Sequence, residues 1–347
     1  MAAFSPDEVA FLESMSELSY GNPFLPSRIE AERAVLGDAF VPVQDVWSIR
    51  PEHDTEPSNV GRIGAVCEGM LPRLRDRLAA TNSATARERE LYRDLAIYVV
   101  YYRHHDHFYD LVRLSNNGGD GSAAPFFTTF VRDLVHVLEP VGMQQELSDT
   151  EVVHLFACFY QVRRAFSHIF HFIIGGSMAT ARLRAAIWQS VFTHDMRRYR
   201  RSLYDRMRGL AVLITGPSGT GKELVARAIA MSSYIPFEPN TMRFTAEPRD
   251  QFIALNPSAL SPALIESELF GHRKGAYTGA LSDHQGWMER AGPYGTVFLD
   301  EIGELATDIQ VKLLRVLETG VFQRLGDTEP RRFRGKFAAA TNRDLAQ

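Results

Sequence analysis

Cysteine, strong net charge and long apolar runs are all scarce in this chain of 347 residues. The two cysteines, Cys67 and Cys158, lie in apolar helical text, which predicts buried thiols in a reducing compartment. The net charge of −4 provides no global attraction for nucleic acid. No apolar run is long enough to span a membrane, and Asp7 and Glu8 stand where a signal peptide is basic. These absences predict a soluble, cytoplasmic protein without a membrane partner.

The hydrophobic pattern changes near residue 209. Before it, helical periodicity dominates and no strand alternation is convincing, so residues 1–189 are predicted to form an all-helical domain. The predicted helices begin at Ser5 and then cover 26–36, 60–80, 84–114, 125–138, 149–174 and 179–207. After it, short apolar runs at 210–215, 251–256, 296–299 and 337–341 alternate with helices. Residues 190–347 are therefore predicted to form an α/β domain with a parallel sheet.

A glycine-rich loop of the form G-x-x-x-x-G-K follows the first predicted strand and precedes a helix. Glycines allow backbone N–H groups to curl around phosphate oxygens, and the helix N-terminus and the lysine add positive charge. This P-loop predicts an ATP site. Its cofactor-binding residues are Gly216, Pro217, Ser218, Gly219, Thr220, Gly221, Lys222 and, next in sequence, Glu223.

Two acids end the apolar run at 296–299, which resembles a Walker B segment. Asp300 is predicted to hold Mg²⁺, and Glu301 to orient or deprotonate the attacking water. Asn256 ends the run at 251–256. It is either a residue of the site or a simple turn residue.

A run of small residues around one aromatic ring follows the sequence ESELFGH. Because glycine allows steep turns, this run predicts a loop tip that presents Tyr277 and Thr278 outward, either for a partner or as an ordinary surface loop. The loop residues are Gly275, Ala276, Tyr277, Thr278, Gly279 and Ala280.

These motifs resemble those of the sigma-54-dependent transcription activators, also called bacterial enhancer-binding proteins. The resemblance implies an AAA+ ATPase that uses ATP and Mg²⁺, forms a hexameric ring and remodels sigma-54 RNA polymerase through the 275–280 loop. It also implies that Asn256 couples nucleotide state to that loop, and that Thr341 and Asn342, with Arg343 and Asp344, act as sensor I. The family carries Glu223 after the lysine, but it usually has Phe where this chain has Tyr277.

The resemblance covers about residues 190–347, and it implies that residues 1–189 are an N-terminal sensory or regulatory domain. A fifth strand, an arginine finger, a helical lid and usually a DNA-binding domain come next in the family, so the chain as given resembles a C-terminally truncated activator. We expect the run at 210–215 to be a sheet edge, ATP to be bound weakly, and hydrolysis to be slow. The alternatives are a non-catalytic nucleotide- or partner-binding protein and an unrelated P-loop protein.

Several features of the sequence leave two interpretations open. His104, His105 and His107, with His168 and His171, suggest either metal binding or helix packing. The basic run at 196–201 is either a nucleic-acid contact or a solvated helix. A predicted hairpin at 320–335 carries Arg324 and 331–334, either for a neighbouring subunit or for solvent. The aromatic residues of the helix at 149–174 predict either core or an apolar ligand pocket: Phe156, Phe159, Tyr160, Phe166, Phe170 and Phe172.

Overall fold

The computed structural model describes residues 2–42, 59–81, 83–143, 147–247, 252–257 and 260–343. The chain divides into two compact units. The helical unit comprises Met1–Arg201 together with Pro236–Thr245, and the sheet unit comprises Ser202–Ile235 together with Ala246–Gln347. The assignment of separate functions to 1–189 and 190–347 stays a prediction.

The first part of the chain is helical, as predicted. Its helices are α1 (Pro6–Tyr20), α2 (Ser27–Leu36), α3 (Asn59–Ala80), α4 (Ala86–Asn116), α5 (Phe127–Leu138), α6 (Asp149–Phe172), α7 (Met178–Phe192) and α8 (Met196–Arg198). A π-helical turn (Tyr199–Leu203) and α9 (Tyr204–Gly209) follow. Helices α1, α4 and α6 each begin with a capping box, in which a Ser or Thr and a Glu three residues later satisfy each other's backbone N–H. None of the described helices combines the length and the apolarity needed to cross a membrane.

The prediction of one helix over 179–207 is wrong. Helix α7 ends at Phe192, because Thr193 adopts a positive φ of 66° that an α-helix cannot continue through. Asp195 then caps α8 by accepting a hydrogen bond from the Arg198 backbone N–H at 2.9 Å. The basic run is only partly solvated, since Arg197 pairs with Asp94 and Tyr199 is buried, whereas Arg198 and Arg201 are exposed.

Aromatic side chains form the core where α4, α5 and α6 meet. Phe156 is fully buried, and its ring lies 5.0 to 5.3 Å from those of Phe108, Phe126, Phe127 and Phe130. The interpretation of Phe156, Phe159 and Tyr160 as core is therefore confirmed. Beside this core lies an open groove of about 360 Å³, lined mainly by apolar side chains of α5 and the start of α6.

The remaining helices and all the strands follow in the second part of the chain. The helices are α10 (Lys222–Met231), α11 (Pro262–Phe270), α12 (Trp287–Arg290) and α13 (Thr307–Thr319). The strands are β1 (Val212–Thr215), β2 (Phe237–Glu238), β3 (Arg243–Phe244), β4 (Phe252–Leu255), β5 (Thr296–Leu299), β6 (Val321–Phe322), β7 (Arg331–Arg332) and β8 (Lys336–Thr341).

A four-stranded parallel sheet with the order β1-β8-β5-β4 organises the sheet unit. Side chains alternate across it. Val297 and Leu299 pack with Ile309 and Leu313 of α13 on one face, and Phe298 packs with α10 on the other. The four short apolar runs are thus confirmed as parallel strands, β1 is an edge of the described sheet, and the predicted hairpin at 320–335 is formed by β6 and β7. Gln251, predicted to begin β4, lies outside the described residues.

Candidate functional site

The carboxyl ends of the four parallel strands lie side by side. Thr215 pairs with Thr341, and Leu299 pairs with Leu255. The residues that immediately follow these positions are Gly216, Asn342, Asp300 and Asn256, so four predicted site segments share one edge of the sheet. In open α/β sheets this edge is where ligands bind.

The glycine loop (residues 216–221) is closed by its own polar contacts. Lys222 Nζ donates to the carbonyl oxygens of Gly216 at 3.1 Å and Pro217 at 3.2 Å. Gly219 and Gly221 have φ values of 78° and 88°, a region that side chains with a Cβ rarely adopt. The lysine is therefore fixed at the start of α10, where the helix dipole and the loop N–H groups favour an anion.

Lys222 also forms the central ion pair of the sheet edge. Its Nζ lies 3.2 Å from Oε1 of Glu301, and the Lys222 side chain is only 7% exposed. The other carboxylate oxygen of Glu301 accepts a hydrogen bond from the Asn342 backbone N–H at 2.9 Å. Glu301 thus bridges Lys222 and the end of β8.

Glu301 adopts a left-handed backbone conformation with φ 52° and ψ 55°. Such a conformation costs a non-glycine residue about 1–3 kcal/mol and persists only where surrounding contacts hold it. Here the contacts are the ion pair of Oε1 with Lys222, the hydrogen bond of Oε2 with the Asn342 N–H, and the following 3₁₀ turn, Ile302–Glu304.

Asp300 provides the test of a Mg²⁺ site. Its Oδ1 is buried and has no hydrogen-bond partner among the described residues, while its backbone N–H donates to the Leu255 carbonyl at 2.8 Å. A buried carboxylate oxygen without a donor is costly unless a cation or water satisfies it. Because Mg²⁺ prefers carboxylate oxygens, Asp300 fits the predicted metal role.

The other predicted residues of this edge are placed as follows. Thr341 is buried, its carbonyl accepts from the Gly216 backbone N–H at 3.2 Å, and its Oγ1 accepts from the Arg343 backbone N–H at 3.1 Å. Glu223 lies on the exposed surface of α10 and pairs with Arg227 at 2.8 Å. Their predicted roles, and that of Asn256, stay predictions, and Asp344 lies outside the described residues.

The 275–280 loop (Gly275–Ala280) is a closed turn with an exposed tip. The Gly275 N–H donates to the Ala280 carbonyl at 2.9 Å, and the Ala280 N–H donates to the Tyr277 carbonyl at 3.0 Å. Tyr277 and Thr278 are exposed, while Ala280 is buried. The predicted outward presentation of Tyr277 and Thr278 matches this geometry.

The base of the 275–280 loop is held by charge and by a short antiparallel bridge between His272 and His284. Arg273 pairs with Asp283 at 2.8 Å and with Asp327 of the β6–β7 hairpin at 3.3 Å. The Lys274 backbone N–H, followed by the side chain of Arg273, lowers the pKa of Asp283, so this carboxylate stays charged. The loop therefore rises from a fixed base.

Residues 189–347 match the family model of the sigma-54 interaction domain. This segment of the chain is a sigma-54 interaction domain.

The chain is also similar to curated regulators of which it spans about a quarter of the length. It is 46% identical over 150 residues to the Nif-specific regulatory protein of Azotobacter vinelandii, covering 42% of this chain and 26% of that protein. It is 50% identical over 138 residues to the anaerobic nitric oxide reductase transcription regulator NorR of Escherichia coli (strain SE11), covering 40% of this chain and 25% of that protein.

Among solved structures, NtrX from Brucella abortus aligns with 58% of this chain and 39% of that chain, at 25% identity and a TM-score of 0.38.

Two contacts of the sigma-54 interaction domain were missed by sequence reasoning. Arg324 was assigned to a subunit contact or to solvent, but it is buried and holds Glu289 with nitrogen–oxygen distances of 2.7 and 2.9 Å. The ring of His272 contacts the edge of Tyr277 at 5.1 Å and bonds Ser267 Oγ at 2.7 Å. Glu289 lies 35 residues before Arg324 in the sequence, so no local pattern links the two. Ser267 lies five residues before His272, and their spacing alone does not predict the bond, because the helix ends between them at Phe270.

The histidines of the helical unit do not form a metal site within the described part of the chain. No group of three metal-ligating side chains occurs there. His104 Nε2 instead lies 3.0 Å from Asp133, and burial lowers the pKa of His104. The packing interpretation is therefore the better one.

Proposed function

We propose that the chain is an ATP-binding regulator of sigma-54-dependent transcription. Its AAA+ module would remodel sigma-54 RNA polymerase through the 275–280 loop. The observation that carries the proposal is the Lys222–Glu301 pair of 3.2 Å, set between the glycine loop and β5 at the carboxyl edge of the sheet. The match of residues 189–347 to the sigma-54 interaction domain names the partner class.

Each residue of the edge has a role in this proposal. The N–H groups of the glycine loop and Lys222 bind the phosphates. Asp300 would hold Mg²⁺, and the ion would neutralise charge on the phosphates. Glu301 positions the attacking water and accepts its proton, while the Asn342 N–H keeps the carboxylate in place. Thr341 fixes the start of the glycine loop through its carbonyl.

The second part of the proposal concerns the partner surface. Tyr277 and Thr278 are exposed on a loop whose base is held by the Arg273 ion pairs, so the tip is presented at little entropic cost. The tyrosine ring supplies apolar contact area and its hydroxyl supplies a hydrogen bond. Sigma-54 RNA polymerase is the proposed partner, and a ring of copies of this chain is the proposed assembly.

The test has two arms on the full chain. In the first, ATP affinity is measured by calorimetry with Mg²⁺ present, and turnover is measured by phosphate release. Binding without turnover would support the alternative of a non-catalytic nucleotide-binding protein. Failure to bind ATP would contradict the proposal.

In the second arm, sigma-54 is captured on immobilised chain carrying an ATP transition-state analogue. Thr278→Ala is expected to abolish capture while leaving nucleotide affinity unchanged. Ser282→Ala is the matched control, because Ser282 is exposed beside the loop but outside it. Equal capture by both variants would remove the loop from the partner surface.

A further inference from the structure

The β2–β3 hairpin (Pro236–Thr245) belongs to the helical unit, although the residues on both sides of it belong to the sheet unit. The chain therefore leaves the sheet unit after Ile235 and returns at Ala246. Nothing in the glycine loop or the strand pattern requires this excursion. Its contacts within the helical unit show what holds it there.

Two phenylalanines anchor the hairpin. The ring of Phe237 lies 4.8 Å from that of Phe127 and 4.7 Å from that of Phe156, and the ring of Phe244 lies 4.1 Å from that of Tyr160. Phe237 and Phe244 are 5% and 3% exposed. These two rings thus complete the aromatic core between α5 and α6.

Backbone pairing extends the docking beyond the two rings. The Ala124 N–H donates to the Met242 carbonyl at 2.9 Å, and the Phe244 N–H donates to the Ser122 carbonyl at 2.9 Å. Met242, at the turn of the hairpin, has a positive φ of 53° that surrounding structure must hold. Arg243 and Asp120 add an ion pair at 2.6 Å, and both side chains are about half exposed. The hairpin therefore docks through defined pairing as well as apolar burial.

A short covalent path joins the docked hairpin to the nucleotide site. Helix α10 begins at Lys222 and ends at Met231, and only residues 232–235 separate it from the hairpin. All four of these residues are buried, and Ser232 Oγ donates to the Ala228 carbonyl within the last turn of α10. We therefore expect a displacement of the hairpin to be transmitted to α10, because few backbone torsions between them are free to absorb it.

We propose that the hairpin is an internal docking segment through which the helical unit controls α10, the helix that follows the glycine loop. The aromatic surface of Phe127, Phe156 and Tyr160 is its binding site, and residues 236–245 are its occupant. Docking keeps α10 ordered for phosphate binding, and undocking releases it. The nucleotide part of this inference rests on the proposed function, whereas the ordering of α10 does not.

A reversible disulfide tests the inference in one protein. Ala123 and Arg243 face each other in an antiparallel bridge, and the flanking N–H groups make them a non-hydrogen-bonded pair with closely spaced side chains. In Ala123→Cys/Arg243→Cys, oxidation forms a disulfide that holds the hairpin on the helical unit. Reduction opens the disulfide, and the ion pair of Arg243 with Asp120 is then also missing. The natural thiols, Cys67 and Cys158, are buried and remain in both states.

Amide exchange of residues 222–231 and ATP affinity are measured in both redox states. We expect faster exchange of α10 and an ATP Kd raised about 5-fold or more in the reduced protein, the size of a typical coupling between sites. Phe244→Ala should have the same effect in the wild-type background and be rescued by oxidation in the double-cysteine background. Glu238→Gln, on the exposed side of β2, is the control expected to change neither readout.

The inference is overturned if the hairpin amides exchange faster in Phe244→Ala while α10 exchange and ATP affinity stay at their wild-type values. Should Phe244→Ala fail to fold, Arg243→Asp weakens the docking at a half-exposed position and replaces it. If the wild-type chain binds no ATP, the proposed function fails, and the exchange of α10 still decides the docking inference.

Discussion

The two units arrange their buried charged side chains differently. In the helical unit, Arg184 donates to the carbonyls of Ile173 and Gly175, and Asp94 accepts from Ser16 and Tyr20, while single nitrogens such as Arg197 Nε have no hydrogen-bond partner among the described residues. In the sheet unit, Lys222, Asp300 and Glu301 lie together at one edge, where Asp300 Oδ1 has no hydrogen-bond partner among the described residues and Lys222 contacts the glycine loop and Glu301. An unsatisfied carboxylate oxygen beside an aligned lysine makes this edge a candidate ligand site, whereas single orphan nitrogens do not.

The largest change in ATP affinity, and so the strongest test of this comparison, is expected at Lys222. Lys222→Ala removes the proposed phosphate contact and leaves the carboxylate of Glu301 with the Asn342 N–H but without its cationic partner. Truncating one partner of a buried charge pair costs about 2–5 kcal/mol, so we expect ATP affinity to fall by at least about 30-fold. Calorimetric titration of the folded variant measures this.

Lys312→Ala is the matched control for that titration. Lys312 is half exposed and pairs with Glu266, away from the glycine loop. We expect it to bind ATP as the wild-type chain does. An equal loss of affinity in both variants would mean that Lys222 acts through general charge and not through the loop.

The helical unit should lose stability in acid because of His168. Burial, followed by the charges of Arg164 and His171, lowers the pKa of His168 to about 3 from its ordinary 6.5. The unfolded chain therefore binds more protons between these values, and stability falls as the pH drops through this window, by on the order of 5 kcal/mol in total. Denaturant unfolding followed by amide exchange of α6 measures the slope, and His168→Gln should flatten it.

The sheet unit should respond in an alkaline window because of Lys336. Burial lowers the pKa of Lys336 to about 8, and its Nζ donates to the Met207 carbonyl at 2.9 Å. The folded state holds fewer protons than the unfolded state between this value and the ordinary 10.5, so stability rises with pH across that range, by on the order of 3 kcal/mol. Exchange of the β8 amides measures it. A rise of the same size in Lys336→Met would assign it to another group.

The smallest effect is expected at the tip of the 275–280 loop. The ring of Tyr277 packs edge-on against His272 at 5.1 Å, a contact that Phe can keep. Tyr277→Phe should therefore retain sigma-54 capture within about tenfold, because it removes one hydroxyl hydrogen bond of about 0.5–1.5 kcal/mol. Tyr277→Ala should lose capture. If Phe and Ala behave alike, the hydroxyl and not the ring makes the contact.

The sheet unit was the more predictable of the two. Its strands follow from short apolar runs. The local spacing within Gly216–Lys222 and at Asp300-Glu301 predicts a phosphate and Mg²⁺ site, and the parallel register brings the two segments together. The left-handed backbone of Glu301 and the Arg324–Glu289 pair depend on tertiary contacts, which local pattern does not encode.

The helices of the helical unit were predictable, but the break at Thr193 and the docked hairpin were not. The capping boxes at Ser5, Thr85 and Ser148 mark helix starts in the sequence itself. The break at Thr193 has no proline or glycine to announce it. The β2–β3 hairpin has strands of two residues, too short for periodicity to detect, and its phenylalanines are explained only by rings more than 75 residues earlier in the chain.

The most direct test of the contrast between the units is a titration of the full chain with ATP, with and without Mg²⁺, followed by amide exchange. The account predicts binding that Mg²⁺ strengthens, with protection appearing at the glycine loop, Asp300 and Glu301. It also predicts that Asp300→Asn removes the Mg²⁺ dependence. Binding that ignores Mg²⁺, or protection confined to the helical unit, would contradict the assignment of the sheet edge as the nucleotide site.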